Sequence, residues 1–185
     1  FTTQILFPQF LQTPPEAGFG FGLNVGGTSL AMLPQTAAFA VGGIFAGRLE
    51  RTLGSRVSIL IGSLFCAAGF TALLFLHHST VQFSSSIVLI GIGIGVTYAQ
   101  LANVVTRSVP TDKVGASTGM NTNIRNIGGA IGTTVAASII VAPLGHAFPS
   151  LLAYGFGLSL LIVVSLLAML CAWALPRDRA SSVLA

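Results

Sequence analysis

The segment GASTGMNTNIRNIGGAIGTTVAASII, residues 115–140, consists of small, polar-uncharged and apolar residues, with Arg125 as its one charge. It is longer than the roughly 20 residues that cross a bilayer as a helix, so it predicts a membrane span. Arg125 lies about 15 Å along such a helix from Gly115, at 1.5 Å per residue. A charge at that depth costs at least about 2.5–3.5 kcal/mol on insertion scales, which marks Arg125 as a candidate functional residue.

The composition of the whole chain supports a membrane location. Of the 185 residues, 53% are hydrophobic and 6% are charged, whereas a soluble domain carries about 25% charged residues. Three long segments contain no Asp, Glu, Lys or Arg, and these are residues 17–47, 57–106 and 126–176. Each is long enough for one or two spans. We therefore predict an all-α polytopic membrane protein.

Hydropathy divides the chain into the end of one helix, residues 1–11, and a set of full spans. The connections carry turn-forming or polar residues. The chain begins with Phe1 and no charged segment precedes its apolar run, so we expect a piece of a longer protein. The five predicted spans are residues 22–47, 57–76, 87–105, 115–142 and 151–175.

The basic residues predict the orientation. Alternate connections lie on the same side of a membrane, and the positive-inside rule makes the basic side cytoplasmic. The C-terminus is then cytoplasmic as well. Seven of the eight basic residues share this side, namely Arg48, Arg51, Arg56, Arg107, Lys113, Arg177 and Arg179.

Polar side chains distinguish the spans from one another. Spans two and five contain no amide and no charge, so they are expected to face lipid. Spans one, three and four carry polar stripes, and polar groups in hydrocarbon must face protein or water. The same amides could instead join neighbouring helices. The candidate cavity-lining residues are Asn24, Thr28, Gln35, Thr97, Gln100, Asn103, Asn121 and Arg125.

Three roles stay open for Arg125. Its long side chain could snorkel to the interface. It could instead clamp carbonyls and amides of other helices, or face the cavity and bind an anionic substrate group or a carboxylate from outside this chain.

Glycines four residues apart further predict close helix approach. These pairs are Gly43 and Gly47, Gly91 and Gly95, Gly115 and Gly119, and Gly128 and Gly132.

Other chemistry finds little support in the sequence. His77 and His78 are adjacent and point apart on a regular backbone, and Cys66 and Cys171 fall in predicted spans. No cluster of ligand-type residues accompanies them, so we expect neither a metal site nor a cofactor. An integral membrane enzyme would need paired acids or a nucleophile with its base. No nucleic-acid partner is expected either.

Two segments resemble a known family. GRLERTLGSR, residues 47–56, resembles the cytoplasmic loop motif of the major facilitator superfamily, roughly G-x-L-x-D-R-x-G-R-R, with Arg51 at the acid position and Glu50 one place early. Residues 109–139 resemble a late helix of the 14-span drug:proton antiporters (QacA/EmrB-like), with the pattern G-x-[AS]-[ST]-G…R-x-x-G-x-x-x-G. The matching positions in the two segments are Gly47, Leu49, Gly54, Arg56, Gly115, Ser117, Gly119, Arg125, Gly128 and Gly132.

The resemblance implies the C-terminal half of a secondary transporter, over residues 1–185, that works in the plasma membrane by alternating access. It implies proton-coupled export of small amphiphilic compounds, with the missing N-terminal half and the lipid bilayer as partners. Spans two and five would be peripheral. A conformational role would fall to the loop residues Gly47, Arg51, Gly54 and Arg56.

Proton coupling requires a titratable carboxylate within the membrane. The four acids are expected in connections or at ends, so the coupling acid would lie in the missing half. These acids are Glu16, Glu50, Asp112 and Asp178. A non-transporting sensor or scaffold with the same fold, and less readily a membrane enzyme, are the alternatives.

Overall fold

The computed structural model describes residues 2–15, 20–76, 79–141 and 151–174. The predicted all-α fold is confirmed, since no strand occurs within these ranges. A short 3₁₀ turn at Thr111–Lys113 precedes α4. The helices are α1 (Thr2–Gln12), α2 (Val25–Phe75), α3 (Thr80–Arg107), α4 (Val114–Val141) and α5 (Leu151–Ala174).

Helix α2 contains the first two predicted spans. It has 51 residues, and a straight helix of that length would be about 76 Å long. Gly54, with φ 81° and ψ 163°, is non-helical and divides α2 into a first half, residues 25–53, and a second half, residues 55–75. The loop predicted over residues 47–56 is therefore wrong, because the helix continues through Gly47 and Arg51. Leu, Arg and Glu favour helix there, and Gly54 alone makes the turn.

By length and apolar composition, three of the described helices could cross a membrane, namely Val25–Phe75, Thr80–Arg107 and Ala153–Ala174. Helix α4 has a suitable length of 28 residues. Its sequence carries Asn, Thr and Arg side chains among apolar ones.

Replacing Gly54 by alanine should destabilise the protein. An added Cβ would meet no atom within 4 Å, so the cost is conformational. The backbone at Gly54 lies in a region that essentially only glycine adopts, and the strain is on the order of 1–3 kcal/mol. The thermal midpoint of the full-length protein in detergent measures this change. Gly47→Ala, at an equally open helical position, is the control. Equal midpoints for the two variants would contradict the turn.

Close backbone contact joins α2 to α3. A Cβ added to Gly93 would lie 2.6 Å from the carbonyl oxygen of Gly62, and one added to Gly91 would lie 2.5 Å from the carbonyl oxygen of Gln35. The predicted close approach is thus confirmed for the pair of Gly91 and Gly95. Added methyl groups would meet no described atom within 4 Å at Gly43, Gly47, Gly115, Gly119 and Gly128.

Contacts between basic residues and their partners define one end of the bundle. Nη1 of Arg107 lies 3.0 Å from Oε1 of Glu50, so α3 ends beside the first half of α2. The guanidinium carbon of Arg56 lies 5.5 Å from the ring centroid of Trp173, so α5 ends there too. We call this the basic end. Arg177 and Arg179, predicted on the same side, lie outside the described residues.

Aromatic rings fill the opposite end. Phe7 and Phe10 of α1 contact Phe83 of α3, with ring centroids 5.6 and 5.7 Å apart. Phe10 also packs edge-on against Tyr154 of α5 at 5.4 Å. This cluster ties the first turns of α3 and α5 to α1. His77 and His78 lie outside the described residues.

Candidate functional site

A cleft of about 1050 Å³ lies between α1, the first half of α2, α3 and α4. Its walls mix apolar side chains with amides and hydroxyls, which is typical of sites for small molecules. None of its described lining residues is charged. They are Thr3, Gln4, Ile5, Met32, Gln35, Thr36, Phe39, Gly91, Ile94, Tyr98, Asn126, Gly129, Ala130, Thr133 and Thr134.

The floor of the cleft faces the basic end. Phe39 and Tyr98 are the last lining residues of α2 and α3 before that end, and Asn126 is the first of α4. The rings of Phe39 and Tyr98 pack edge-to-face with centroids 5.9 Å apart. The guanidinium carbon of Arg125 lies 4.0 Å from the centroid of Tyr98. We call this arrangement the Phe39–Tyr98–Arg125 stack.

Arg125 is half-buried, with its guanidinium on an aromatic ring. Such a cation–π contact is worth on the order of 0.5–2 kcal/mol, depending on desolvation. Its Nε is buried and has no hydrogen-bond partner among the described residues. A buried donor without an acceptor is unusual in native proteins. Arg125, predicted to line the cavity, is not among the lining residues of the cleft, but it contacts the ring of Tyr98, which lines it.

Among the other predicted cavity residues of α2, Gln35 lines the cleft. Asn24 instead caps α2, since its Oδ1 accepts a hydrogen bond of 2.8 Å from the backbone N–H of Gly27. Thr28 is buried and donates to the carbonyl of Asn24. The N-terminal turn of α2 therefore uses these two side chains for its own backbone.

The polar residues predicted on α3 face α2 rather than the cleft. Gln100 is 0% exposed, and its Nε2 donates a bond of 2.7 Å to the carbonyl of Ala46. Nδ2 of Asn103 donates a bond of 2.8 Å to Oε2 of Glu50, and Thr97 donates to the carbonyl of Gly93. These side chains join helices or satisfy their own helix, and the face of α3 that carries Tyr98 meets the cleft instead.

Helix α4 also presents a different stripe from the predicted one. Asn121 is half-buried and does not line the cleft. Asn126, Gly129, Thr133 and Thr134 line it instead. These four residues are three, four and one positions apart and therefore lie on one face of the helix, so helical periodicity could have predicted them. The amide of Gln4 in α1 and the ring of Tyr98 were missed as well.

Glu50 forms a polar cluster at the basic end. The expectation that Glu50 lies in a loop is wrong, because it sits in α2 with a side chain that is 5% exposed. Oε1 accepts from Oγ of Ser55 at 3.1 Å and pairs with Arg107. The predicted loop residue Arg51 is exposed, so the acid one place early makes the contact with α3. Asp112 is exposed in the 3₁₀ turn, and Glu16 and Asp178 lie outside the described residues.

A second, apolar cavity of about 330 Å³ lies at the aromatic end, between α1, the second half of α2, α3 and α5. Phe7, Phe10, Phe83 and Phe156 contribute to its wall. Within the described ranges, no group of three or more His, Cys, Asp and Glu residues could hold a metal ion. The polar and charged features therefore concentrate in the cleft and at the basic end.

The family of the chain follows from comparison with known proteins. The sequence profile described as Major Facilitator Superfamily matches residues 1–133 of the 185. The chain belongs to the major facilitator superfamily. It is thus part of a multi-pass membrane protein. No solved structure matches the chain.

Relatives within the superfamily carry names of drug transporters. The chain is 32% identical over 143 residues to the multidrug resistance protein Stp of Mycobacterium tuberculosis, covering 75% of the chain and 25% of Stp. It is 27% identical over 127 residues to the multidrug transporter protein MdtP of Bacillus subtilis, covering 68% of the chain and 24% of MdtP. The multidrug efflux pump LfrA of Mycolicibacterium smegmatis is 27% identical over 123 residues, covering 65% of the chain and 24% of LfrA. The chain spans about a quarter of the length of these relatives.

Proposed function

We propose that the chain forms one wall of the central cavity of a drug exporter, a secondary active transporter of small amphiphilic compounds. The cleft between α1, α2, α3 and α4 carries this proposal. Its apolar side chains, such as Met32 and Ile94, suit the body of an amphiphile. Its amides, such as Gln35 and Asn126, suit a polar end. The names of the multidrug relatives support the same substrate class.

The chain is proposed to be the C-terminal half of a 14-span antiporter, with the opposite wall supplied by the N-terminal half of the same protein. The relatives are about four times as long as the matched region, which leaves room for that half. Alternating access would proceed by rocking of the halves about the cleft. The plasma membrane is the proposed location, with the basic end and the C-terminus in the cytoplasm.

Protons are the proposed coupling ion. Coupling needs a carboxylate that is reached from both sides in turn. No carboxylate lines the described cleft, and Glu50 is held by Arg107 at the basic end. We therefore assign the coupling acid to a part of the transporter outside this chain.

Vesicles that contain the full-length protein should move an amphiphilic fluorescent dye against its gradient when a pH gradient is imposed, and a protonophore should stop the movement. Asn126→Leu, within the cleft, should slow dye movement at least about tenfold if it removes a hydrogen bond worth about 1.4 kcal/mol. Asn123→Leu is the matched control, because Asn123 is exposed and is not among the lining residues of the cleft. A folded protein that moves no dye in either direction would contradict the proposal and favour a sensor or scaffold.

The 185 residues alone should not transport the dye. They provide one wall of a cavity, and the described cleft contains no acid for coupling. Vesicles with the isolated chain, at the same protein density as vesicles with the full-length protein, make the comparison. Dye uptake driven by a pH gradient in the former would contradict the proposed division of the protein into halves.

A further inference from the structure

We infer that Arg125 recognises the polar end of the ligand, and that the preferred ligands are amphiphiles with an anionic or strongly hydrogen-bond-accepting end rather than a cationic one. This inference rests on the proposed function, since it specifies the substrate class of the same cleft. Two features support it: the placement of the guanidinium on the ring of Tyr98 and the absence of charge in the described lining of the cleft.

The guanidinium of Arg125 lies beside the cleft, and its N–H donors are the feature that matters for a ligand. An arginine side chain offers five N–H donors in one plane. The guanidinium carbon lies 4.0 Å from the ring centroid of Tyr98, and a cation–π contact of this kind uses none of the N–H donors in a hydrogen bond. The buried Nε has no partner among the described residues. A cation fixed by an aromatic ring loses little side-chain freedom when a ligand arrives, so the site is preorganised.

The charge distribution favours an anion. The described lining of the cleft contains no charged residue, so no charge within that lining opposes the guanidinium of Arg125 beside Tyr98. The buried carboxylate of Glu50 lies about 16 Å further along α2 than Phe39, at 1.5 Å per residue, and pairs with Arg107. In surroundings of low dielectric constant, an uncompensated cation attracts an anionic group strongly and repels a cationic one.

Arg125 already occupies a face of one of the two aromatic rings at the floor. Cationic ligands are commonly held over the faces of Tyr, Trp or Phe. Arg125 covers one face of Tyr98, and the ring of Phe39 packs edge-to-face with Tyr98 at an interplanar angle of 72°. The Phe39–Tyr98–Arg125 stack therefore presents apolar ring surface and N–H donors to a ligand. An aromatic or aliphatic body with an acidic or carbonyl end matches this pairing.

Three probes on one scaffold test the inference in the full-length transporter: 2-naphthylacetate, 2-naphthylacetamide and (2-naphthylmethyl)trimethylammonium. Equilibrium binding to the unmodified protein should be tightest for the acetate and weakest for the ammonium. Arg125→Gln should weaken acetate binding on the order of tenfold to a hundredfold, the loss expected for a charge-assisted hydrogen bond. The ammonium should bind equally well or more tightly. Arg125→Lys should fall between, since lysine keeps the charge but lacks the planar fork.

Lys113→Gln is the matched control, because it removes a positive charge at an exposed position outside the cleft. It should leave all three affinities unchanged. An unmodified protein that prefers the ammonium would overturn the inference, whether or not the variants fold. Equal loss of all three probes in Arg125→Gln, with an unchanged melting temperature, would overturn it too and indicate a clamp or a pair with a carboxylate elsewhere in the transporter.

Transport of the same probes separates this inference from the proposed function. If vesicles export the ammonium in preference to the acetate, the substrate class is wrong while the exporter stands. If the acetate binds in an Arg125-dependent way and no probe is transported under a pH gradient, recognition by Arg125 stands while the exporter is wrong.

Discussion

Arg107→Ala should destabilise the full-length protein by about 2 kcal/mol, less than the roughly 3–5 kcal/mol lost when a fully buried ion pair is broken from one side, because the Arg107 side chain is 70% exposed. The variant leaves the Glu50 carboxylate buried, with its side chain 5% exposed, and without its ion-pair partner. Ser55 and Asn103 still donate to it, but neither carries a charge. The loss should appear as a lower thermal midpoint in detergent and as a faster loss of dye transport on heating.

Glu50→Gln should cost less, about 1 kcal/mol, because it removes a hydrogen bond to a charged group without leaving a buried charge. Arg107 is 70% exposed and stays solvated when its partner is neutral. Combining the two substitutions should therefore recover most of the stability that Arg107→Ala alone loses. Arg51→Ala, at an exposed neighbouring position, is the control for a general loss of positive charge at this end. If Glu50→Gln were the more damaging single change, the buried carboxylate of Glu50 would not depend on the charge of Arg107.

Sequence reasoning predicted the helices because their signal is local. A run of about 20 apolar residues has one stable state in a bilayer, a helix with all its backbone groups bonded. The all-α fold and a break between the first two predicted spans, which the structure places at Gly54, follow from such local features. The helix boundaries near charged residues could not be predicted in this way, because a helix continues beyond the hydrocarbon core when helix-forming residues follow.

The partners of polar side chains were not predictable in the same way. A polar stripe shows that one face of a helix is turned away from lipid. Contact with a neighbouring helix and contact with a water-filled cavity both place that face away from lipid. Gln100 donates a hydrogen bond to the carbonyl of Ala46 in α2, whereas Gln35 lines the cleft. Asn103 reaches Glu50, which is 53 residues away along the chain. Contacts over such separations depend on how helices rotate against each other, and one sequence does not report that rotation.

The α2–α3 contact sets that rotation, and Gly95→Ala should disrupt it. A Cβ on Gly95 would overlap the carbonyl oxygen of Phe39 and would lie 3.0 Å from its carbonyl carbon and 3.1 Å from the backbone nitrogen of Gly43. Backbone atoms cannot rotate away as a side chain does, so the helices must separate. Overpacking costs about 1–3 kcal/mol, and we expect the upper part of this range because the contact is with backbone.

The effect should extend to the cleft, since Phe39 and Tyr98 line it on either side of this contact. Gly95→Ala should therefore reduce dye transport as well as the thermal midpoint. Gly43→Ala is the matched control, because its Cβ would meet no described atom within 4 Å. Alanine is preferred over glycine in a helix by about 0.5–1 kcal/mol, so this variant should be slightly more stable than the parent. The two Gly→Ala variants should therefore shift the thermal midpoint in opposite directions. If both midpoints moved in the same direction, the helix rotation that turns Tyr98 towards the cleft and Gln100 towards Ala46 would be contradicted.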